Sequence, residues 1–400
     1  MTIWIIEPRD PLIVRDGRPF GPNPGARARS LDFPFPSTVV GGFRSQAGKD
    51  SDGFFDVSKR PAVKQISIRG PLLVEVKEQG TLKWLVPAPA DALLLRRDDK
   101  SPVCRHRLRP LDNVDTKSDL PNLLKWPVGM IENDLSKPDK DAPPYWYWKR
   151  FVEWLVNPSD SVEQLKKKKV KKLGHAGPGK EWRMHVKIDP ETLTGEDGAL
   201  FATGGLEFWG RPLSDKKKQG KLTKVKRLAL AAEAELNGMS IHAGPAPLGG
   251  ERRVMHWYAN DANLPGIPAD LVDKIADAGC CRLILLTPAC FVNGWLPDWL
   301  LQKRWGITPE LEAVIVGKPQ TVSGWSFEPP IGPKPTRRLV PAGSVYFLRL
   351  GSDKAAIRDW VEHIWLKNVS DSQEDKLSGF GLTAVGVWDG LAHKMEVTHG

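Results

Sequence analysis

Cysteine is scarce in this sequence, and its placement does not suit a metal or disulfide framework. The four cysteines are Cys104, Cys280, Cys281 and Cys290, two of them adjacent, and none forms the C-x-x-C pair of common zinc sites. A chain of 400 residues with so few cysteines differs from small disulfide-stapled secreted domains, so we expect a reducing, cytoplasmic location. The sequence therefore predicts no metal site and no cofactor.

Long apolar runs and common catalytic motifs are also missing. No apolar stretch approaches the ~20 residues of a membrane span, and residues 1–14 lack the basic start of a signal peptide, so we expect no membrane association. P-loop, H-E-x-x-H and G-x-S-x-G patterns are absent. The glycines at 379–381 follow a predicted helix and precede a predicted strand, which is the reverse of a dinucleotide-binding turn.

Basic residues, glycine, proline and tryptophan are plentiful. Lys and Arg number 58 against 48 acidic residues, a net charge of +10 that favours an acidic partner such as nucleic acid. The 37 glycines and 35 prolines predict many turns, and the length predicts two or three domains. The 16 tryptophans indicate core packing first, with stacking on bases or a partner as the alternative.

Strand and helix patterns alternate along the chain. Buried strands are predicted at 2–7, 66–76, 81–95, 281–292 and 343–350, helices at 228–236 and 355–369, and a projecting hairpin at about 182–209. Residues 96–180 form a charged, Pro-rich insertion that ends in the lysine run 166–172, which is interpreted as a solvated loop or a phosphate contact. This alternation predicts an α+β fold of two related units, divided near residue 250 at 1–250 and 251–400.

Three glycine-containing stretches are candidates for a phosphate site, and arginine accompanies the first two. The first is the Pro-rich loop with Arg15, Arg18, Arg27 and Arg29, together with a helix start at 37–44 for which Ser37 is the expected N-cap. The second is the glycine turn 249–253, and the third is the loop 379–386. Because glycine lets phosphates approach main-chain N–H groups and arginine clamps phosphates, the combination predicts a site for single-stranded nucleic acid.

Other side chains in these stretches have alternative interpretations. Phe20, Phe43 and Phe380 are candidates for base stacking. Asp10 and Asp16 are expected to hold the neighbouring arginines through local salt bridges. His242, His256 and His185 are candidate general bases for a metal-free ribonuclease, although structural roles are favoured for them because no second catalytic group stands at a telling spacing.

Six segments in order carry a family resemblance. They are DPLIVRDGRPF (10–20), PSTVVGGFRS (36–45), HVKIDPETLTGEDGALF (185–201), LGGERR (248–253), PAGSVYFL (341–348) and GFGLTAVGVW (379–388). Together they resemble the RAMP superfamily of CRISPR proteins, and the first, fourth and fifth are most similar to subunit three of type III-B (Cmr) effector complexes. The match leaves residues 96–180 uncovered.

The resemblance implies two ferredoxin-like (RRM-related) domains without catalytic activity. It implies partners, namely the crRNA whose repeat-derived 5′ tag is held, the large polymerase-like subunit, and the backbone RAMP subunits that the hairpin reaches. The implied RNA-binding residues are Arg15, Arg18, Ser37, Thr38, Gly41, Gly42, Arg44, Arg252, Arg253, Gly379, Phe380 and Gly381. Two alternatives stay open: a metal-independent endoribonuclease that processes crRNA precursors, and a protein scaffold whose interface is the tryptophan-rich segment 145–154.

Overall fold

The structure is a computed structural model that describes residues 1–16, 30–112, 120–210, 226–326 and 330–395. Its helices, in chain order, are α1 (Pro36–Ala47), α2 (Arg60–Lys64), α3 (Trp148–Val156), α4 (Lys167–Val170), α5 (Leu271–Ala278), α6 (Asp298–Leu301), α7 (Lys354–Ile364) and α8 (Gln373–Leu377). None of these is long and apolar enough to span a bilayer.

The strands far outnumber the helices. Those before residue 211 are β1 (Thr2–Pro8), β2 (Ser67–Val76), β3 (Leu82–Pro87), β4 (Ala92–Arg96), β5 (Val103–Arg107), β6 (Arg109–Pro110), β7 (Val128–Gly129), β8 (Lys137–Pro138), β9 (Tyr145–Tyr147), β10 (Glu163–Leu165), β11 (Gly174–His175), β12 (Gly179–Ile188), β13 (Gly195–Glu207) and β14 (Trp209–Gly210). Those after it are β15 (Lys226–Glu235), β16 (Gly244–Pro247), β17 (Val254–Asn260), β18 (Cys280–Leu285), β19 (Glu310–Ile315), β20 (Gln320–Val322), β21 (Trp325–Ser326), β22 (Gly332–Pro333), β23 (Arg337–Leu339), β24 (Val345–Arg349) and β25 (Thr383–Val387).

The chain forms two compact units whose segments alternate along the sequence. The first unit contains Met1–Leu82, Gly177–Asn263 and Thr321–Arg338, and the second contains Lys83–Ala176, Leu264–Gln320 and Leu339–Gly400. This division differs from a single boundary near residue 250. Most of the expected insertion, through residue 176, belongs to the second unit, and the exposed lysines of its basic run flank the buried Val170 of α4.

The first unit is built on an antiparallel sheet with the order β2-β15-β1-β17-β16. Helix α1 packs on this sheet through Phe43, whose ring stands edge-on to Trp4 and Trp257 at centroid distances of 6.3 and 5.1 Å. The expected helix at 228–236 is wrong: residues 228–235 belong to β15, which pairs with β1 on one side and β2 on the other. Pairing on both sides outweighs the helical propensity of the Ala/Leu run.

The first unit contains a β-hairpin at the residues where one was expected. Strands β12 and β13 pair antiparallel, from Gly179 opposite Glu207 to Val186 opposite Leu200, with an irregular register beyond that point. Side chains alternate between its two faces, since neighbouring residues of a strand point in opposite directions.

The second unit is built on the antiparallel sheet β19-β24-β18-β25. Helices α5 and α7 pack against each other and against this sheet, and α7 buries Ile357, Trp360, Val361 and Ile364, as its spacing predicts. The unit also contains the sheet β10-β5-β4-β8 and the antiparallel pairs β11-β9 and β9-β3. In the tryptophan-rich segment 145–154, Trp146 and Trp154 are buried at a centroid distance of 6.2 Å, so both are core residues rather than interface residues.

Candidate nucleic-acid interface

The loop after β1 is held against the base of the hairpin. Leu12 and Leu206 exchange two main-chain hydrogen bonds, of 2.9 and 2.8 Å. A Cβ on Gly205 would lie 2.7 Å from the Cβ of Pro11, so a residue without a side chain lets the loop approach β13 this closely. The predicted basic loop and the predicted hairpin therefore meet at their bases.

The turn at 249–253 contacts the other side of the same loop. The Gly250 N–H donates to the Ile13 carbonyl oxygen at 2.8 Å, and a Cβ on Gly249 would lie only 2.5 Å from that oxygen. The described part of the first glycine stretch thus lies beside the second in the first unit, as the predicted phosphate site requires.

Backbone strain is concentrated in this turn. Glu251 and Arg252 have φ angles of 55° and 48°, in the left-handed region that residues other than glycine rarely adopt, and Gly249 precedes them at 75°. Each such non-glycine residue costs about 1–3 kcal/mol, and such residues cluster at functional sites. The turn presents the exposed Arg252 side chain to solvent.

A small pocket lies where the loop, the hairpin base and the turn meet. It is lined by Pro11, Ile13, Glu181, Arg183, Thr203, Gly205 and Arg253. The Arg253 guanidinium donates to Glu251 at 2.7 Å, while its Nε is buried and has no hydrogen-bond partner among the residues described. Glu181 accepts hydrogen bonds of 2.8 and 3.3 Å from Arg183, and this pairing raises the pKa of Arg183. Two arginines thus converge here, one with an unused donor.

Asp10 fastens the loop to the strand that follows the turn. Its carboxylate accepts a hydrogen bond of 3.1 Å from the Val254 N–H, and the Val254 carbonyl accepts from the Arg9 N–H at 3.1 Å. The carboxylate that sequence reasoning assigned to a local arginine thus bonds to main chain 244 residues away. Its negative charge also contributes to the raised pKa of Arg183.

The predicted cap of α1 is wrong. The N-cap is Phe35 and Pro36 occupies the first turn, so Ser37 lies inside the helix, and no side-chain cap bond forms. Proline fixes a helical φ at this position and has no N–H of its own, so the first turn has one fewer N–H group that needs a partner. Ser37 and Thr38 are half-buried.

The two glycines of α1 have different environments. A Cβ on Gly42 would lie 2.8 and 2.9 Å from the side chains of Trp257 and Leu248. The absence of a side chain at Gly42 therefore makes room for the protein's own core, not for a bound phosphate. A Cβ on Gly41 would meet nothing within 4 Å. Arg44 donates to the carbonyls of Lys64 and Ile66 at 3.2 Å each, which gives this expected RNA contact a structural function.

The third glycine stretch belongs to the second unit and is buried. The N–H groups of Gly379, Phe380 and Gly381 donate to the carbonyls of Lys376, Asp375 and Pro288 respectively. Main-chain donors engaged in this way are not available to a phosphate. The rings of Phe380 and Phe43 are both 0% exposed, so neither can stack on a base, and these two expectations are corrected.

Several expected contacts lie outside the described residues. Arg18, Phe20, Arg27 and Arg29 fall in the stretch 17–29. Arg15, just before it, is exposed.

Sequence reasoning missed Arg183 as a site residue. Its signal was the alternation within β12, where Arg183, His185 and Lys187 share one face and Trp182, Met184, Val186 and Ile188 share the other. Cross-strand pairing places Thr203 opposite Arg183, and both line the pocket. The four apolar side chains are 42–68% exposed, so one face of the hairpin is exposed and apolar. On the other face, Arg183 and Lys187 form ion pairs with Glu181 and Glu196.

The three candidate histidines lie in different settings. His185 forms a 2.8 Å hydrogen bond with the Thr203 hydroxyl and stacks on Phe201 at 5.2 Å. His256 tilts against Tyr258 at 5.5 Å, and His242 is exposed. The first two thus have neighbours that account for their positions without catalysis.

A protein-family model described as CRISPR-associated protein (Cas_Cmr3) matches residues 4–388. Solved structures similar to the chain include subunits of Type III-B Cmr-beta bound to cognate target RNA, with and without AMPPnP. These have 14% and 15% identity, each with a TM-score of 0.44, and the match covers 86% of both chains. A chain of the Csm3–Csm4 subcomplex of the type III-A interference complex has 10% identity and a TM-score of 0.35, with 88% of this chain and 100% of that chain covered. No curated protein matches the sequence.

Proposed function

Because the chain belongs to the Cas_Cmr3 family of CRISPR-associated proteins, we propose that it is a non-catalytic subunit of a type III-B (Cmr) effector complex that holds the repeat-derived 5′ tag of the crRNA. The observation that carries this proposal is the junction of the loop 9–16, the hairpin base and the turn 249–253 in the first unit. We call this junction the cradle.

The cradle has the chemistry that a phosphate backbone requires. Arg252 is exposed on a strained turn, and Arg253 retains a buried, unused Nε donor beside the pocket. Arg15 and Arg183 add guanidinium groups from the loop and the hairpin, and that of Arg183 is paired with Glu181. Guanidinium groups bind phosphate oxygens through directed, charge-assisted hydrogen bonds. An RNA strand that crosses the pocket therefore exchanges hydrogen bonds to water for hydrogen bonds to arginine.

The strand orders support the finer assignment of two ferredoxin-like domains. Taking β1, β2, β15 and β17 as the four core strands of the first unit, the fourth lies beside the first, the first beside the third, and the third beside the second. The strands β18, β19, β24 and β25 of the second unit have the same order. We assign each set as a ferredoxin-like core on its strand order. The first unit departs from the full β-α-β-β-α-β arrangement, because the connection from β15 to β17, which the structure describes throughout, contains β16 and no α-helix.

The hairpin is the element that we assign to neighbouring subunits. Its apolar face exposes Trp182, Met184, Val186 and Ile188 together, and contiguous exposed apolar surface marks a protein interface. Its other face continues from the cradle and carries Arg183 and Lys187, each in an ion pair with a glutamate. A backbone subunit covers the apolar face, while the guide strand follows the face with Arg183 and Lys187 and replaces these glutamates with phosphate.

The test measures binding of the purified chain to 5′-tag RNA as a function of salt. Replacing Arg15, Arg183 and Arg252 together by alanine should weaken binding and reduce the slope of log affinity against log salt by about 0.7 for each phosphate of the single strand that is no longer neutralised. Arg358→Ala is the control, because it removes one exposed guanidinium from α7 in the second unit. An unchanged slope in the triple variant, or an equal loss of affinity in the control, contradicts the proposal.

The endoribonuclease alternative predicts a different result. Incubating the chain with repeat RNA in EDTA should leave the RNA intact. Specific cleavage that His185→Ala, His242→Ala or His256→Ala abolishes would overturn the non-catalytic assignment. RNA affinity no better than for a random sequence would favour the scaffold alternative.

A further inference from the structure

Cys104, His106 and Asp134 gather at one place in the second unit, although they come from a strand and a distant loop. Cys104 and His106 lie two residues apart on β5, so their side chains share a face of the strand. Asp134 lies between β7 and β8 and reaches the same face, where its Oδ2 is 2.8 Å from the His106 Nε2. One ligand atom from each of the three lies within 4.8 Å of the other two.

We propose that these three side chains form a zinc site, with thiolate, imidazole and carboxylate as its protein ligands and water in the fourth position. The ligand chemistry selects the metal: a thiolate and an imidazole favour Zn²⁺ over Mg²⁺ or Ca²⁺, which prefer all-oxygen sites. The sequence pattern missed this site because its pairs are C-x-H on a strand and a remote aspartate rather than C-x-x-C.

The surroundings of the cluster suit a bound cation. The His106 side chain is 4% exposed and that of Asp134 is 20% exposed, so the site is enclosed yet reachable from solvent. The Ser136 N–H donates to the other oxygen of this carboxylate, Oδ1, at 2.8 Å, which leaves Oδ2 directed at His106.

The packing of β5 determines which of its faces meets the loop between β7 and β8. Arg105, between the two ligands, points the other way, where its guanidinium lies 5.0 Å from the ring centre of Trp154. Pairing with β4 fixes the register, with Cys104 opposite Leu95 and His106 opposite Leu93. Zinc would thus fasten the segment between β7 and β8 to a strand whose position is already set.

The experiment uses the full-length chain, stripped of metal and titrated with Co²⁺, then with Zn²⁺. One equivalent of Co²⁺ should give a thiolate-to-cobalt charge-transfer band that Zn²⁺ abolishes. Cys104→Ser should lose the band, and Asp134→Asn, which preserves the shape of the side chain, should weaken metal affinity by at least ~10–100-fold. Cys290→Ser is the matched control, since Cys290 is another half-buried thiol, and it should retain the band.

Two results overturn the zinc site. One is a wild-type chain without a stoichiometric charge-transfer band, and the other is a band that persists in Cys104→Ser. Near-ultraviolet circular dichroism checks that each variant is folded. If Cys104→Ser fails this check, Asp134→Asn decides the question, because unchanged affinity in that variant also contradicts the site.

Discussion

Asp91 and Arg282 form an ion pair that is entirely buried in the second unit, with both side chains at 0% exposure. The remaining hydrogen-bonding atoms of the pair are nearly all used. Asp91 also accepts a hydrogen bond of 3.0 Å from the Trp154 indole, and Arg282 donates to the carbonyls of Trp154 and Val387 at 2.8 and 2.9 Å. The pair therefore joins α3 to the sheet edge at β25 through hydrogen bonds rather than through apolar contact alone.

Removing one member of this pair should be costly. Asp91→Ala leaves an unpaired guanidinium in the core, so we expect a loss of about 3–5 kcal/mol in the free energy of unfolding. Arg358→Ala breaks an exposed ion pair with Asp273 and should cost less than about 1 kcal/mol. Urea unfolding of the two variants and the wild type measures both values. A loss below about 1 kcal/mol for Asp91→Ala would show that the pair is dispensable.

At the cradle, some of the arginines could be identified from the sequence and one could not. Arg15, Arg252 and Arg253 were identified from local glycine and proline patterns. Arg183 was not, because its importance depends on the contact between the hairpin base and Pro11, which no local pattern encodes. Phe380 and Phe43 were misassigned for the same reason, since burial is a property of the tertiary fold and not of a Gly-Phe or Phe-Arg pair.

Among the elements, α1 offers a matched pair of substitutions. Gly41→Ala places a methyl group in open space on a helix, so it should stabilise the first unit by about 0.5–1 kcal/mol. Gly42→Ala drives a methyl group into Trp257 and Leu248 and should destabilise it by about 1–3 kcal/mol. Thermal unfolding of the two variants decides: shifts of the melting temperature in the same direction would contradict this account of the helix.

Strand β15 shows why an element can differ from its local pattern. The run 228–236 has the composition of a good helix, yet residues 228–234 are buried between β1 and β2. The amphipathic helix α7 was predicted well, because its apolar residues recur at helical spacing and only one face is buried. A fully buried segment has no polar face to reveal its period, so composition alone misled the prediction.

On the scale of the whole molecule, the sequence predicted the fold class better than it predicted which strands and helices belong to the same compact unit. The alternation of strands and helices indicated α+β architecture, and several antiparallel sheets with few helices are found. A boundary at 250 was placed on a glycine turn. That turn lies inside the first unit. Strand β17, which follows the turn, pairs with β1 at the start of the sequence, so both strands belong to the same unit.

Cutting the chain at this turn should therefore destroy both halves. Residues 1–250 lack β17, and with it the Trp257 ring on which Phe43 packs. Residues 251–400 lack Asp91, which leaves Arg282 buried without its counter-ion. We expect neither fragment to give the cooperative unfolding transition or protease resistance of the full chain. A fragment that does so would show that the boundary near 250 separates autonomous domains.

At the same scale, the cradle in the first unit is proposed to hold the 5′ end of a guide RNA. Ultraviolet crosslinking tests this most directly, with a photoreactive nucleotide placed at each tag position of the guide in the assembled effector complex, followed by identification of the crosslinked peptides. We predict that tag nucleotides crosslink to peptides containing residues 9–16, 181–183 or 249–253. Crosslinks from the tag that fall on other subunits alone, or on this chain only at the α7 surface, would contradict the proposal.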